Sequence, residues 1–323
     1  IGREGARASA GREREGGDGR PGEPRGQAPG RFAGCLCEGA SKGGALSAAA
    51  LYLCAGVSSS RAKEDSISAH RGEHTISPPS DPRCTLPASP MHTHLSLDAH
   101  SHARHSEART THLALDLVVD FERRVLSGTA SLDVEPAPGV RWLVLDTNAL
   151  AVSRVSDAEG RPLAFELGPV DALLGAPLRI SLPEGCYRAV VHYETSPSAP
   201  GLQWLEPSQT AGGRQPFLFT QGHAILTRSY IPLQDSAANR ITYEARITAP
   251  EPLVALMSAE RLGAHPGEGG RVHAFCMNEP IPPHLIALAV GELVGRELGP
   301  RTAVYAEPST IDAAAHEFAE MEA

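Results

Sequence analysis

The sequence has few aromatic residues, no long apolar run and no excess of basic charge. Aromatics make up 5% of its 323 residues, and the formal net charge is −9. The absence of any run of about 18 apolar residues argues against a bilayer-spanning helix. A net acidic chain without a basic stripe lacks the electrostatic footprint that binds DNA or RNA. We therefore expect neither a membrane nor a nucleic acid among its partners, and one large or two ordinary domains.

Cysteines are too few and too scattered for a disulfide framework or a zinc site. Four of the six fall in the first ninety residues, at Cys35, Cys37, Cys54 and Cys84. The remainder holds only Cys186 and Cys276, which are ninety positions apart. This use of cysteine favours a reducing, cytoplasmic location.

The first ninety residues differ in composition from the rest of the chain. They hold 12 basic and 10 acidic residues, a net charge of +2, whereas residues 91–323 carry −11. Their Gly/Arg/Glu/Pro mixture has no helical or strand period and predicts disorder, because it buries too little apolar surface to offset the entropy of ordering. Since the first methionine is Met91, we expect the natural start at Met91 and interpret residues 1–90 as upstream sequence; residues 1–98 together form a disordered or spurious upstream and lead-in segment. The alternative is a targeting segment, because Ala45–Val57 resembles a signal-peptide core, although it lies about forty residues too deep.

From His112 onward, apolar and polar residues alternate in short segments separated by turn residues. This two-residue period predicts strands. The clearest is Arg240–Thr248, which indicates an antiparallel strand with one face in solvent. Several strands about ten residues apart predict an all-β, multi-sheet or sandwich domain. Further strands are expected at 113–121, 125–134, 142–146, 187–194, 253–258, 271–277 and 285–290, with turns at 157–160, 183–185 and 267–270.

The end of the chain changes to helical spacing. Ser309 and Asp312 stand at capping-box spacing and predict a helix start. The apolar residues that then share one helical face are Ile311, Ala314, Phe318 and Met321. Because no C-cap precedes Ala323, we expect the helix to run to the end of a truncated chain.

Colinear stretches over some 220 residues carry a family resemblance. The strongest are Pro-Phe-Leu-Phe-Thr-Gln-Gly-His-Ala-Ile at 216–225 and Ile-Pro-Pro-His-Leu-Ile-Ala-Leu-Ala-Val-Gly at 281–291. The others are 98–101, 110–117, 143–147, 195–197, 201–205, 228–235 and 254–259. Together they resemble the amino-terminal part of zinc aminopeptidases, the family of aminopeptidase N and leukotriene A(4) hydrolase, and in particular its hydrolase-like branch.

The resemblance implies a domain arrangement. Residues 99–307 would form a saddle-shaped, multi-sheet amino-terminal β domain that closes one side of a substrate cleft. Residues 308–323 would begin a thermolysin-like catalytic domain, truncated here, which an α-helical domain follows. Those two missing domains of the same protein are the partners that the resemblance implies.

The zinc chemistry of that family needs residues which this sequence lacks. Zinc would require two histidines one helical turn apart, a glutamate between them as general base, and a further glutamate ligand. The nearest segment, His316–Glu320, has a glutamate where the second histidine belongs, and the Gly-x-Met-Glu-Asn segment that binds the substrate amine is absent. We therefore assign zinc to the missing catalytic domain, and no catalytic or metal-ligating residue to this chain.

One segment does match a substrate-binding motif of the family. The family's Gln-x-Gln-Ala corresponds here to Gln221, Gly222, His223 and Ala224, and the resemblance implies that it contacts the first residue of a bound peptide. In an extended segment, positions 221 and 223 share one face, and Gly222 allows close backbone approach. His223 departs from the family glutamine, and an imidazole is shorter and titrates near pH 6.5. We expect a narrower or shifted substrate preference; the alternative is that His223 faces solvent and matters little.

Other chemistry-bearing residues have structural interpretations. The histidines at His92, His94, His100, His102, His105 and His112 form a loose cluster, which indicates an unstructured lead-in rather than a metal site. Asp235 is interpreted as a turn or cap residue, and Trp142 and Trp204 as core or interface aromatics. Arg228 is expected to pair with an acid at the domain junction, which the sequence alone does not identify.

Two functions remain open from the sequence. The first is the amino-terminal fragment of a cytoplasmic zinc aminopeptidase acting on peptides, with the fragment itself inactive. The alternative is a non-catalytic β-sandwich binding module. Reading the frame past Ala323 separates them, because the first predicts a His-Glu-x-x-His motif within about a hundred codons and the second a stop codon.

Overall fold

The structure is a computed structural model that describes residues 98–321. This part of the chain contains sixteen strands, three short 3₁₀ turns and one α-helix. The first eight strands are β1 (Ala108–Asp120), β2 (Val125–Pro136), β3 (Trp142–Thr147), β4 (Ala151–Ser156), β5 (Phe165–Leu167), β6 (Ala176–Ser181), β7 (Arg188–Glu194) and β8 (Leu202–Leu205). The other elements are β9 (Phe217–Thr220), β10 (Ile241–Ala249), β11 (Val254–Met257), β12 (Glu260–Gly267), β13 (Gly270–Ile281), β14 (Leu288–Gly291), β15 (Val294–Glu297), β16 (Ala303–Ala306) and α1 (Ile311–Glu317). The predicted all-β, multi-sheet class is confirmed.

The strands form four sheets within the described residues. The largest has seven strands in the order β12-β13-β10-β1-β2-β7-β4, and a second has four in the order β11-β14-β9-β8. A three-stranded sheet has the order β3-β6-β5, and β15 pairs with β16. The predicted turn at 267–270 is the tight connection between β12 and β13. The predictions of disorder or targeting for residues 1–97 lie outside the described residues.

Strand β10 corrects one expectation. It was expected to be antiparallel to its neighbours, yet it lies between β1, with which it pairs in parallel, and β13, with which it pairs antiparallel. The alternation along β10 is real, since Tyr243 and Ala245 are buried while Glu244 and Arg246 are exposed. A two-residue period reports which face is buried and carries no information about the direction of the neighbouring strand.

Alternating residues of the sheets build one continuous core. Along β1, Leu113, Leu115, Leu117 and Val119 point to the same side and are at most 4% exposed. The same cluster includes Leu143 of β3, Ile180 of β6 and Leu218 of β9. Each fully buried side chain of this size contributes about 1.5–3 kcal/mol. The core therefore joins the seven-, four- and three-stranded sheets into one packed unit.

The terminal helix is shorter than the sequence predicts. It begins after Thr310 rather than Ser309 and has no side-chain N-cap hydrogen bond, so the expected capping box is wrong. It ends at Glu317: the Phe318 N–H makes the last bond of the helical type, to Ala314 O, and residues 318–321 then form a turn. A small second core joins it to β16 through Val304, Ala306, Ile311, Ala314 and Ala315.

Met321, expected on the helix's apolar face, is 47% exposed because the helix has already ended. Residues 98–321 include no helix with the length and apolar character needed to cross a membrane.

Candidate functional site

The candidate segment Gln221–Ala224 leaves the four-stranded sheet at the end of β9. The Gln221 N–H donates to Gly201 O at 2.8 Å, which fixes the first residue beside the connection into β8. The Leu226 N–H then donates to Gly222 O at 2.9 Å, so the chain turns. The expected extended geometry is therefore wrong beyond Gln221, because His223 already lies in that turn.

The turn exposes one half of the segment and buries the other. Gln221 is half-buried and Gly222 is buried, whereas His223 and Ala224 are exposed. The His223 ring packs edge-on against the ring of His284, with centroids 5.5 Å apart and planes at 87°. Burial, followed by repulsion from His223, lowers the pKa of His284. The site thus consists of the exposed imidazole of His223, on a turn that hydrogen bonds hold in place, and the neighbouring imidazole of His284. The sequence did not single out His284 as a site residue.

Gly222 is required by the packing of the protein itself. A Cβ at this position would lie 2.8 Å from each of three oxygens, namely His284 O, Thr227 Oγ1 and Tyr230 Oη. Two of the three are side-chain hydroxyls of buried residues, and the third is a backbone carbonyl. The atoms that approach Gly222 closely thus belong to this chain, and the predicted approach to a bound peptide stays a prediction.

Replacing Gly222 with alanine should destabilise the domain by about 1–3 kcal/mol, because the added methyl group overpacks a fixed environment. The free energy of unfolding from urea denaturation measures this. Gly212→Ala is the matched control, since its Cβ would meet nothing closer than Glu307 Oε1 at 3.5 Å. We expect that variant to change stability by less than about 0.5 kcal/mol, and equal losses in the two variants would contradict the packing argument.

A buried loop holds the candidate segment in place. Residues 227–236, which begin two residues after the segment, are all buried. A buried loop must satisfy its polar groups inside the protein. The side chain of Gln234, a loop residue, bonds to the backbone of β1: its Oε1 accepts from Thr110 N at 2.9 Å, and its Nε2 donates to Ala108 O at 2.8 Å. Asn239 adds a bond from Nδ2 to Thr110 Oγ1 at 2.8 Å.

Arg228 is the centre of this loop. It is fully buried, and its Nε donates to Asp235 Oδ2 at 3.2 Å. Its two terminal nitrogens donate to Leu174 O at 2.9 Å and to His100 O at 2.7 Å. Asp146 Oδ1 lies 3.7 Å from Nη1. The expectation of an acidic partner is therefore confirmed, but its expected place at a domain junction is wrong, because both acids are buried within the β domain.

The carboxylates of Asp146 and Asp235 are also held in place by hydrogen bonds from the protein. Asp146 accepts from Ser101 Oγ at 2.6 Å, from His102 N at 2.7 Å and from Asp235 N at 2.9 Å. Burial raises the pKa of Asp235 to about 6, against the opposing attraction of Arg228. Asp235 is therefore a buried ion-pair partner of Arg228 rather than a simple turn residue.

The histidine-rich segment before β1 is also ordered, which corrects the prediction of an unstructured lead-in for its described part. Asp98 Oδ2 accepts from Ser236 Oγ at 2.6 Å, and His105 Nδ1 lies 3.3 Å from Gln234 Oε1. His112 Nδ1 lies 2.7 Å from Thr242 Oγ1 within the seven-stranded sheet. His92 and His94 lie outside the described residues.

The two tryptophans have different surroundings. Trp204 packs edge-on against Phe121, with centroids 5.3 Å apart, at the border of the core. Trp142 lines a cavity of about 440 Å³, where its Nε1 donates to Glu107 at 2.7 Å and the Arg179 guanidinium lies 4.9 Å from its ring. The polar edge and one face of Trp142 are therefore occupied by the protein's own side chains.

The described residues do not fit a zinc ion. Within 98–321, no three His, Cys, Asp or Glu side chains are grouped so that they can hold a metal. His316, in the segment nearest to the zinc motif, lies exposed on α1.

These observations define an all-β domain of several sheets, in which the partly exposed turn Gln221–Ala224 is held by hydrogen bonds at the end of the four-stranded sheet. The family model of the peptidase M1 N-terminal domain matches residues 109–283, and the chain belongs to this family. The family resemblance inferred from the sequence is thereby confirmed.

The relatives and a solved structure agree with this assignment. Leukotriene A-4 hydrolase of Xenopus laevis is 38% identical over 234 residues, covering 70% of this chain and 38% of that protein. Human aminopeptidase B is 37% identical over 254 residues, with coverages of 71% and 38%. Yeast LTA4 hydrolase in complex with Bestatin superposes with a TM-score of 0.65 at 29% identity, covering 74% of this chain and 38% of that one. The chain thus spans 38% of the length of each of these proteins.

Proposed function

We propose that this chain is the amino-terminal β domain of a zinc aminopeptidase that removes residues from the amino termini of peptides. Its membership of the M1 family and its similarity to an aminopeptidase over most of its length support this proposal. The free thiols of Cys186 and Cys276 support a reducing, cytoplasmic location. In this proposal the zinc belongs to the catalytic domain outside this chain, and the chain alone hydrolyses nothing.

The contribution of this chain is to bind and orient the peptide through Gln221–Ala224. The observation that carries this role is the exposed His223 ring on a turn whose preceding residues are fixed by hydrogen bonds and packing. A neutral imidazole offers one donor and one acceptor, which suits the amide groups of a peptide. A fixed segment also binds at a lower entropic cost than a mobile one.

Replacing His223 with glutamine tests this role in the full-length enzyme that carries the domain. Glutamine is longer and does not titrate, so we expect the ranking of KM among alanyl, leucyl, arginyl and prolyl anilides to change. Individual KM values should shift by about two- to tenfold, the worth of one hydrogen bond.

His265→Gln is the matched control, because His265 is an exposed histidine on the edge strand β12 of another sheet. We expect its KM values to equal those of the wild type. Identical KM rankings for His223→Gln and the wild type would refute the proposed contact.

A further inference from the structure

His284 is built into the same unit as the candidate segment. It lies in the 3₁₀ turn Pro283–Leu285, more than fifty positions along the chain from His223. Thr227 Oγ1 donates to Pro283 O at 3.2 Å, and Tyr230 Oη donates to Ile286 O at 2.8 Å. The buried loop that follows the segment is therefore joined to this turn on both sides of His284 by hydrogen bonds from buried side chains.

The backbone of His284 has little freedom to move. Pro282 and Pro283 restrict their own φ angles, which stiffens the entry to the turn. Ser258 Oγ donates to Leu285 O at 2.6 Å and accepts from Ala287 N at 3.0 Å, which fixes the exit. The ring of His284 is half-buried, so it provides a fixed surface for its neighbour.

His223 has no such support of its own. It is exposed, and an exposed side chain on a turn populates several rotamers unless a neighbour selects one. The contact that selects one here is the edge-on packing against His284, an arrangement that aromatic rings prefer. Removing the fixed ring leaves the backbone of His223 in place and frees its side chain.

We propose that His284 is a positioning residue that sets the enzyme's choice of amino-terminal substrate residue by holding the His223 imidazole in one orientation. This inference rests on the proposed function, because it requires that His223 contact the peptide. His284 acts through His223 and has no substrate contact of its own. Its effect is on ground-state binding, so it should appear in KM rather than in kcat.

A double-mutant cycle in the full-length enzyme tests this inference. In the wild-type background, His284→Ala should raise KM for the preferred aminoacyl anilide by about two- to tenfold, the range for one aromatic pair, with kcat unchanged. In a His223→Ala background the same substitution should leave KM unchanged. His284→Phe keeps an edge-on ring and should restore KM to within about twofold of the wild type, since most of the pair's contact is retained.

The outcomes separate the two proposals. If His223→Ala alters KM but His284→Ala does not, or alters it equally in both backgrounds, the positioning role is refuted and the proposed function stands. If His223→Ala leaves KM unchanged for all substrates, the proposed function fails. Should His284→Ala lower the thermal midpoint of the protein, His284→Leu, which keeps most of the side-chain volume but removes the ring, replaces it in both backgrounds and is judged by the same criterion.

Discussion

Replacing Arg228 with methionine should lower the free energy of unfolding by about 3–5 kcal/mol, because it removes one partner from a buried ion network. The guanidinium is fully buried, and its partners Asp146 and Asp235 are at most 2% exposed. The variant leaves two carboxylates in the interior without their cation. It also leaves Leu174 O and His100 O without the donors they have in the wild type. Urea denaturation at pH 7 measures the loss.

Arg246→Met is the control for this experiment. Its side chain is 61% exposed and lies 3.6 Å from Asp116, which is 55% exposed. An exposed pair of this kind contributes less than about 1 kcal/mol. Similar losses in the two variants, or a stable Arg228→Met protein, would show that the buried network does not hold the loop.

The second large effect is a loss of stability in acid that depends on His273. This residue of β13 is fully buried, and burial, with smaller contributions from Arg261 and Arg271, lowers its pKa to about 4. An unfolded histidine titrates near 6.5, so the folded state resists the proton that the unfolded state accepts. The stability is fully present above pH 6.5 and is lost as the pH falls towards 4. The shift amounts to about 3 kcal/mol in total, at 1.36 kcal/mol for each pKa unit.

His273→Leu should remove this part of the acid sensitivity, while the exposed neighbour-strand variant His265→Leu should retain it. The contribution of Asp235 to the stability has the opposite pH dependence. Its pKa is raised in the folded state, so this contribution grows as the pH falls from about 6 towards the pKa of an unfolded aspartate. That contribution is the same in all three proteins, so the difference in their stability between pH 7.5 and pH 4 isolates His273. Parallel stability curves for wild type and His273→Leu would contradict the assignment.

Local sequence patterns predict much of the fold because strands are encoded locally. Alternation locates β1, β2, β7 and β13 to within a few residues, and turn residues locate the β12–β13 connection. The parallel pairing of β1 with β10 is not encoded in this way, since it joins residues about 130 positions apart. The end of α1 was missed because the spacing of Phe318 and Met321 continues a helical face after the backbone has turned.

The candidate site was predicted in part. The family resemblance singles out Gln221–Ala224, and the structure shows the hydrogen bonds and packing that hold this segment in place. The residues bonded to Arg228 come from four separate parts of the chain, and no local signal in the sequence pairs them. His284 lay inside a stretch that carries the resemblance, and the two prolines before it are a signal of a fixed turn. Its proximity to His223 follows only from the folded arrangement.

Photo-crosslinking tests the central claim, that the exposed end of this segment borders the bound peptide. The full-length enzyme would carry benzoylphenylalanine at position 223, or at position 265 as control, together with a non-hydrolysable peptide. We expect irradiation to attach the peptide's first residue at position 223, excess substrate to suppress the adduct, and position 265 to remain unlabelled. Equal labelling at the two positions, or none at position 223, would contradict the account.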